Sequence, residues 1–285
     1  MRHAPFRQKN STQGHGIIAK WARPAASGAF SLKALATALR ILQEFVTAQA
    51  PLSVVELTER LALNKSQVSK VLKTYRDAGI LEQNPGTRKY SVGLNAFALG
   101  NNYVNAYPLS RDALPVMRKL VDETGHSAVL SLLHGSDIIH LLAVEGRLFI
   151  DGRWRVGRWM PYHTTSAGKV LVAFNSAETL ESLLKTRGLP RFTPNTITDP
   201  RQFRAAIQKV RKSGISVTRS ETYQGSAAIA VPLLGADNNA IAALGLICPD
   251  HLLTRNEEIR LVGPLQRAAR ELSVRMGADV YPFGK

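Results

Sequence analysis

Apolar positions in the first third of the chain recur at helical spacing. Leucines at steps of three and four residues predict a helix over residues 31–48: Leu32, Leu35, Leu39 and Leu42. A second helix opens at Ser53, where Glu56 completes the spacing of a capping box. A third opens at Asn64, and its apolar stripe consists of Val68, Val71, Leu72 and Tyr75. The stripe predicts that one face of this third helix packs on a core.

A short hairpin is predicted directly after the third helix. Gly79 stands where a glycine would end the helix, and residues 80–81 begin an apolar strand. The Asn-Pro-Gly sequence at 84–86 is strong turn chemistry, and residues 88–92 form the returning strand. Two helices joined by a tight turn and followed by a hairpin indicate a winged helix-turn-helix.

The outer face of the third helix carries hydrogen-bond donors and cations and no acid. Such a face suits a groove lined by phosphates and base edges. We therefore predict that double-stranded DNA is bound through this face and the wing, by Lys65, Ser66, Gln67, Ser69, Lys70, Lys73, Thr74, Arg88 and Lys89. The alternative is a solvated helix face, because Lys and Ser are common on exposed surfaces.

The charge distribution supports a polyanionic partner. The chain of 285 residues has a formal net charge of +16, and more than half of that excess falls within residues 1–99. A generally basic soluble protein is the alternative. Residues 1–29 are basic and rich in Gly, Ser, Ala and Pro, and we expect a mobile tail there.

Beyond residue 93 the pattern mixes helices with strands. Ser110 is predicted to cap a helix that Gly125 closes, and Thr254 with Glu257 has the spacing of a capping box for a long last helix. Residues 148–159 are expected to be extended. Further strands are predicted at 127–133, 138–144, 215–221, 227–234 and 240–248, and further helices at 164–174, 178–185 and 201–212. This order favours an α+β domain around an antiparallel sheet.

The predicted helix start at residues 164–169 is the candidate ligand site. Its small residues and free backbone N–H groups favour an anion such as a carboxylate, and His163 beside it offers a ring and a polar edge. The residues concerned are His163, Thr165, Ser166, Ala167 and Gly168. A helix start needs capping groups in any case, so a purely structural role stays open.

Other classes of protein receive little support. Ser166 and Lys169 match S-x-x-K without its companion motifs, so an enzyme acting on a small carboxylate through these residues remains only an alternative. A nucleic-acid-binding protein without a ligand is another. The histidines have no ligand-spaced partners, and we expect no metal and no cofactor. With a single Cys248 and no apolar run of about 20 residues, a cytoplasmic, non-membrane protein is expected.

The ordered series of segments over residues 31–277 resembles the IclR family of bacterial transcriptional regulators. In the first half the segments are SLKALATALRILQEF, VVELTERLALNKSQVSKVLKTYRDAGIL and RKYSVG. In the second half they are PYHTTSAGKVLVAF, TPNTIT, GISVTRSETYQGSAAIAVPL and AIAALGLICP.

The resemblance implies a transcriptional regulator, a repressor being favoured over an activator, that binds an operator as a homodimer or tetramer and is controlled by a small metabolite, often an organic or aromatic acid. It implies a linker helix used in dimerisation and a GAF-like effector-binding domain, and it adds Glu221, Pro232, Gly245 and Ile247 to the effector site. The domains are then a tail at 1–29, a winged helix-turn-helix at 30–93, a linker helix at 94–109, an effector domain at 110–277 and a C-terminal tail at 278–285.

One departure from the family pattern concerns DNA recognition. Gln67 and Lys70 stand where the family commonly has Thr and Arg. A lysine cannot make the bidentate contact with guanine that an arginine makes. The resemblance therefore implies DNA binding but leaves the operator sequence open.

Overall fold

The structure is a computed structural model that describes residues 32–48, 50–147 and 156–284. The predicted tail at 1–29 and most of the predicted extended stretch at 148–159 lie outside the described residues. The described chain forms two compact units, divided between Pro108 and Leu109. None of its described helices is both long and apolar enough to span a membrane.

The first unit is the winged helix-turn-helix that the sequence predicted. Its elements are α1 Lys33–Thr47, α2 Val54–Leu61, α3 Lys65–Asp77, β1 Leu81–Gln83, β2 Tyr90–Val92 and α4 Leu94–Ala106. Strands β1 and β2 are antiparallel. Leu52 adds a third, one-residue strand, because its backbone N–H and C=O both bond to Tyr90, at 2.9 and 2.7 Å.

Local signals explain where α2 begins and how it ends in the turn before α3. The capping box forms in full, with Ser53 Oγ accepting from Glu56 N at 3.1 Å and Glu56 Oε2 accepting from Ser53 N at 2.6 Å. Ala62 ends α2 in the left-handed region at φ 51°. The apolar stripe of α3 then packs inward, with Val68 and Leu72 fully buried. The opposite face of α3 is thereby held toward solvent.

The second unit is built on one antiparallel sheet. Its elements are α5 Pro108–Thr124, β3 Ser127–His134, β4 Asp137–Val144, β5 Trp159–Pro161, α6 Ser166–Ala173, α7 Ala177–Thr186, α8 Pro200–Ser213, β6 Ser216–Arg219, β7 Ser226–Leu234, β8 Ala240–Pro249, a 3₁₀ turn Asp250–Leu252 and α9 Arg255–Arg275. The strand order is β5-β4-β3-β8-β7-β6. Every neighbouring pair is antiparallel, so the α+β class predicted from the sequence is confirmed.

Helix α6 lies against one face of this sheet. It contacts β3, β4, β6, β7 and β8, and it packs beside α7 and α8. The core on this face includes Tyr162, Val170, Phe203 and Ala243. Because successive strand residues point to opposite faces, Gly245 and Ile247 share the α6 side of the sheet with Ala243.

Two local predictions for this unit need correction. Helix α5 begins at Pro108, so Ser110 lies inside the helix and is buried rather than capping it. Proline suits a first helical position because its φ is already helical. At α9 only half of the capping box forms. Thr254 Oγ1 accepts from Glu257 N at 3.2 Å, whereas the Glu257 carboxylate binds His126 and Arg260 instead.

The predicted C-terminal tail packs on the second unit. Tyr281 donates its hydroxyl to Pro232 O at 3.2 Å, and the residue is buried, with 6% of its surface exposed. The Phe283 ring stacks edge-on against Phe174 at 5.3 Å. It also covers Gly214, where an added Cβ would lie 2.3 Å from the Phe283 ring. The aromatic side chains therefore make residues 278–284 part of the fold of this unit.

Candidate DNA-binding surface and ligand recess

The outer face of α3 is exposed as predicted. Each of these predicted residues is exposed: Lys65, Ser66, Gln67, Ser69, Lys70, Lys73 and Thr74. Asn64 caps the helix by accepting from Ser66 N at 2.8 Å, and its first turn holds no acid. A helix N-terminus carries partial positive charge, which adds to that of the lysines. The surface is therefore suited to an anionic groove.

The two predicted wing cations are placed differently. Asn84 Oδ1 accepts from Gly86 N and Thr87 N, at 3.0 and 2.9 Å, which fixes the turn. Arg88 then adopts φ 60° and is exposed. Lys89 instead turns back toward α2, with its Nζ 3.4 Å from Glu56 Oε1. Arg88 is therefore the more exposed of the two cations, although the Lys89 side chain is itself 42% exposed.

The electrostatics of Glu56 follow from these contacts. The pKa of its carboxyl is lowered to about 2, mainly because it accepts from the backbone N–H of Ser53, with the Ser53 side chain and Lys89 adding to the effect. The carboxylate therefore stays ionised and keeps Lys89 close to α2. The charge of Lys89 is partly neutralised within the domain.

A narrow recess lies between the N-terminus of α6 and the sheet. It is partly open to solvent, and its free volume of about 10 Å³ is roughly what one water molecule needs. Its lining residues are Val129, His140, Thr165, Ser166, Ala167, Thr218, Ala228, Gly245, Leu246 and Ile247. These residues belong to the start of α6 and to five strands, β3, β4, β6, β7 and β8.

Five of the predicted ligand-site residues meet in this recess: Thr165, Ser166, Ala167, Gly245 and Ile247. Thr165 caps α6, because its Oγ1 accepts from Gly168 N at 3.1 Å and donates to Pro161 O at 3.0 Å. The first N–H groups of a helix have no partner within the helix. Ser166 N and Ala167 N therefore offer the recess an anion-binding end.

His163 does not line the recess but belongs to the core. Its Nε2 lies 2.9 Å from Pro190 O, and its ring packs 6.4 Å from that of Phe203. Burial lowers the pKa of His163 to about 4, so the ring is neutral. Gly168 allows α6 to pack closely against the preceding backbone, since an added Cβ would lie 2.1 Å from Tyr162 O.

Glu221 and Pro232 also lie outside the recess. Pro232 pairs with Ala243 in the sheet, and its carbonyl is used by Tyr281. Glu221 is buried and binds Lys169 Nζ with both carboxylate oxygens, at 2.6 and 2.7 Å. Lys169 Nζ is thus bound by Glu221, which lies in the segment after β6.

The recess also contains residues that the sequence did not reveal, above all His140. This side chain is buried, and its Nδ1 lies 2.8 Å from Ser131 Oγ. Burial lowers the pKa of His140 to about 4, with the charge of Arg158 contributing. No spacing rule marks this histidine, since its place depends on how β4 pairs with β3.

Comparison with known proteins decides the family. Residues 34–85 match the model of the IclR helix-turn-helix domain, and residues 101–274 match that of the bacterial transcriptional regulator IclR C-terminal domain. The chain belongs to the IclR family. Its members are DNA-binding transcriptional regulators with a ligand-binding C-terminal domain.

Individual IclR-family proteins are similar over most of the chain. The HTH-type transcriptional regulator XynR of Escherichia coli K12 is 29% identical over 254 residues, covering 88% of this chain and 98% of XynR. The acetate operon repressor of Salmonella typhimurium LT2 is 25% identical over 260 residues, covering 90% of this chain and 95% of that protein.

A solved IclR homolog from Microbacterium hydrocarbonoxydans, complexed with 4-hydroxybenzoate, has the same fold. It superposes with a TM-score of 0.73 at 24% identity, covering 86% of this chain and 99% of the homolog. Within the described part of this IclR-family chain, no group of three or more His, Cys, Asp or Glu side chains could hold a metal ion.

Proposed function

We propose that this protein is a transcriptional repressor that binds an operator through α3 and the wing and is controlled by a small organic acid. The observation that carries the proposal is the recess at the α6 N-terminus, in a chain whose other unit exposes a cationic recognition helix. Repression is the action named for the acetate operon repressor, which is similar over 90% of this chain.

On the DNA side, α3 would lie in the major groove. Gln67 can pair with an adenine edge, and Lys70 and Lys73 can contact guanine or phosphate. Ser66, Ser69 and Lys65 near the helix start would contact the backbone, as Arg88 would from the wing. Since Lys89 is drawn toward Glu56, its contribution to DNA binding is expected to be smaller.

On the ligand side, an effector carboxylate would be bound by Ser166 N and Ala167 N. The apolar cluster of Val129, Ala228 and Ile247 would hold the body of the acid, which requires the recess to widen from its present size of about one water molecule. 4-Hydroxybenzoate, which the Microbacterium homolog binds, belongs to this chemical class. Control of DNA binding requires that the acid prefer one arrangement of the protein, because equal affinity for two arrangements shifts neither.

Assembly would use α4. This helix has no buried residues, and its exposed apolar side chains include Leu94, Phe97, Leu99 and Tyr103. Exposed apolar surface of this kind marks a protein interface. A homodimer or tetramer built through α4 would place two recognition helices on a near-palindromic operator. A DNA partner and a single buried Cys248 fit a cytoplasmic location.

Fluorescence anisotropy with a labelled duplex from the intergenic region upstream of the gene tests the proposal. We expect binding that weakens steeply with salt and is reversed by one or more small carboxylic acids added in turn. A scrambled duplex of equal length is the control. Equal affinity for both duplexes would contradict operator recognition, and complete insensitivity to the acids would contradict effector control.

A further inference from the structure

The tip of the wing contains a one-residue bulge at Arg88. Arg88 N donates to Asn84 O at 2.9 Å, and Asn84 N donates to Lys89 O at 2.9 Å, so two residues of the returning strand lie opposite one. Arg88 adopts φ 60° at this bulge. Glycine is the usual residue there, because a Cβ disfavours the left-handed region. The wing therefore carries a long cationic side chain where backbone geometry favours glycine.

A side chain from the neighbouring strand holds the backbone at Arg88. Gln83 is the last residue of β1, and it pairs with Tyr90 across the hairpin. Its amide Nε2 donates to Arg88 O at 3.0 Å. Because the direction of a Cα–Cβ bond follows from the backbone on both sides of it, this contact helps to set the direction in which the Arg88 side chain leaves the wing.

The same amide connects the wing to the recognition helix. Leu81 and Gln83 are two residues apart in β1, so they share one face of the hairpin. Leu81 is buried in the core that also contains Leu72 of α3, which places Gln83 on the side of the hairpin that faces α3. Arg76, in the last turn of α3, has its Nη1 3.5 Å from Gln83 Oε1. Gln83 therefore contacts both α3 and the wing tip.

Arg76 is itself held in one orientation. Its Nε and Nη2 donate to Asp77 Oδ1 at 3.1 and 2.8 Å, while Nη1 is directed at Gln83. A guanidinium is planar, so fixing two of its nitrogens fixes the third. The contacts from Asp77 through Arg76 and Gln83 to Arg88 thus run continuously from the recognition helix to the exposed cation of the wing.

We propose that Gln83 is a positioning residue that holds Arg88 in a fixed direction relative to α3, so that both contact the phosphates of one DNA site. Gln83 is uncharged, and it acts through Arg88 rather than by contacting DNA. The inference rests on the proposed DNA contact of Arg88, and it adds the residue that orients that contact.

Salt titrations of DNA binding by the full-length protein test this role. Gln83→Met keeps the side chain uncharged and similar in length but removes both polar contacts. The slope of log K against log salt counts phosphate contacts at about 0.9 each, so a neutral substitution reduces it only if a cation leaves the DNA. We expect the variant to bind the labelled upstream duplex about three- to tenfold more weakly, with a slope smaller by about 0.9 for each bound subunit.

A double-mutant cycle separates positioning from a general loss of stability. In the Arg88→Ala background, Gln83→Met should change neither affinity nor slope further, because the side chain that Gln83 orients is absent. Gln43→Met, the same change at a half-buried position of α1, is the matched control and should leave the slope unchanged. Thermal unfolding of each variant shows whether it is folded.

The outcomes are distinguishable. If Gln83→Met keeps the wild-type slope, or weakens binding equally in the wild-type and Arg88→Ala backgrounds, the positioning role is overturned. If Gln83→Met does not fold, Gln83→Asn replaces it, since its amide is one methylene shorter, and an unchanged slope there overturns the role.

Failure of the underlying DNA contacts gives a different result. If Arg88→Ala leaves the slope unchanged while Lys70→Ala with Lys73→Ala lowers it, α3 binds DNA without the wing, and the role of Gln83 is overturned. If the wild type binds neither the upstream nor the scrambled duplex, the proposed function fails and the inference fails with it.

Discussion

Lys169 Nζ lies 2.6 and 2.7 Å from the two carboxylate oxygens of Glu221, and both side chains are buried. The pair joins α6 to the segment that follows β6. Burial lowers the pKa of Lys169 and raises that of Glu221, while their mutual attraction opposes both changes. Each charge is therefore tolerated in the interior only because the other is present.

Removing one member of this pair should destabilise the second unit strongly. Glu221→Gln leaves the Lys169 charge buried without compensation, and we expect a loss of about 3–5 kcal/mol in the free energy of unfolding. Urea denaturation followed by circular dichroism measures it. The control is Glu181→Gln, which breaks an exposed pair with Arg204 and should have little effect. Equal stability of Glu221→Gln and wild type would contradict this account of the pair.

The exposed face of α3 should dominate the salt dependence of DNA binding. Lys70→Ala combined with Lys73→Ala should weaken binding and lower the slope of log K against log salt by about two for each bound subunit, or about four for a homodimer, since each phosphate contact contributes about 0.9. Anisotropy titrations at several salt concentrations provide the slope. Lys185→Ala with Lys212→Ala, two exposed lysines of the second unit, is the matched control. An unchanged slope in the α3 variant would exclude those phosphate contacts.

The wing should act through Arg88 more than through Lys89. Arg88→Ala should lower the same slope by about one for each bound subunit, because this side chain is exposed at the wing tip. Lys89→Met should lower the slope by less, because Lys89 Nζ lies 3.4 Å from Glu56 Oε1 and that contact competes with the DNA. Should Lys89→Met lower the slope as much as Arg88→Ala, the ion pair does not keep Lys89 from the DNA.

Glu257 should make the second unit sensitive to acid. Its pKa is lowered from 4.5 to about 2, first by hydrogen bonds from Arg260 and then by His126. Because the pKa of Glu257 is lower in the folded than in the unfolded protein, the ionised carboxylate stabilises the fold at pH values above about 4.5. That stabilisation is lost as the pH falls from about 4.5 toward 2. The urea concentration at the unfolding midpoint, measured at pH 7, 5 and 3, should therefore decrease less with falling pH in Glu257→Gln than in the wild type. Parallel curves for variant and wild type would show that the contact does not stabilise the fold.

The first unit could be predicted closely because its signals are local. The Ser53 and Glu56 capping box, the stripe from Val68 to Tyr75 and the turn at 84–86 each act within a few residues. Such signals depend on backbone geometry that neighbouring side chains satisfy directly. The order of helices and strands in the second unit followed from the same kind of evidence, which is why its fold class was also predicted correctly.

The composition of the recess was only partly predictable. The cap at Thr165 and the small residues after it mark a helix start in any context. His163, two residues before Thr165, is equally suitable by sequence, but its ring packs against Phe203 and its Nε2 lies 2.9 Å from Pro190 O, residues far along the chain. Which of two adjacent polar side chains faces a cavity depends on packing partners that no local pattern names.

The sequence by itself determined the winged helix-turn-helix, the cationic face of α3 and the antiparallel α+β class, because periodicity and capping are short-range. Only the tertiary structure decided that Lys89 turns toward Glu56, that Lys169 pairs with Glu221 and that His140 reaches the recess. These depend on distant contacts and on a one-residue bulge in β4. A shift of one residue in strand pairing exchanges the two faces of a strand, and the sequence pattern of β4 does not show where that shift occurs.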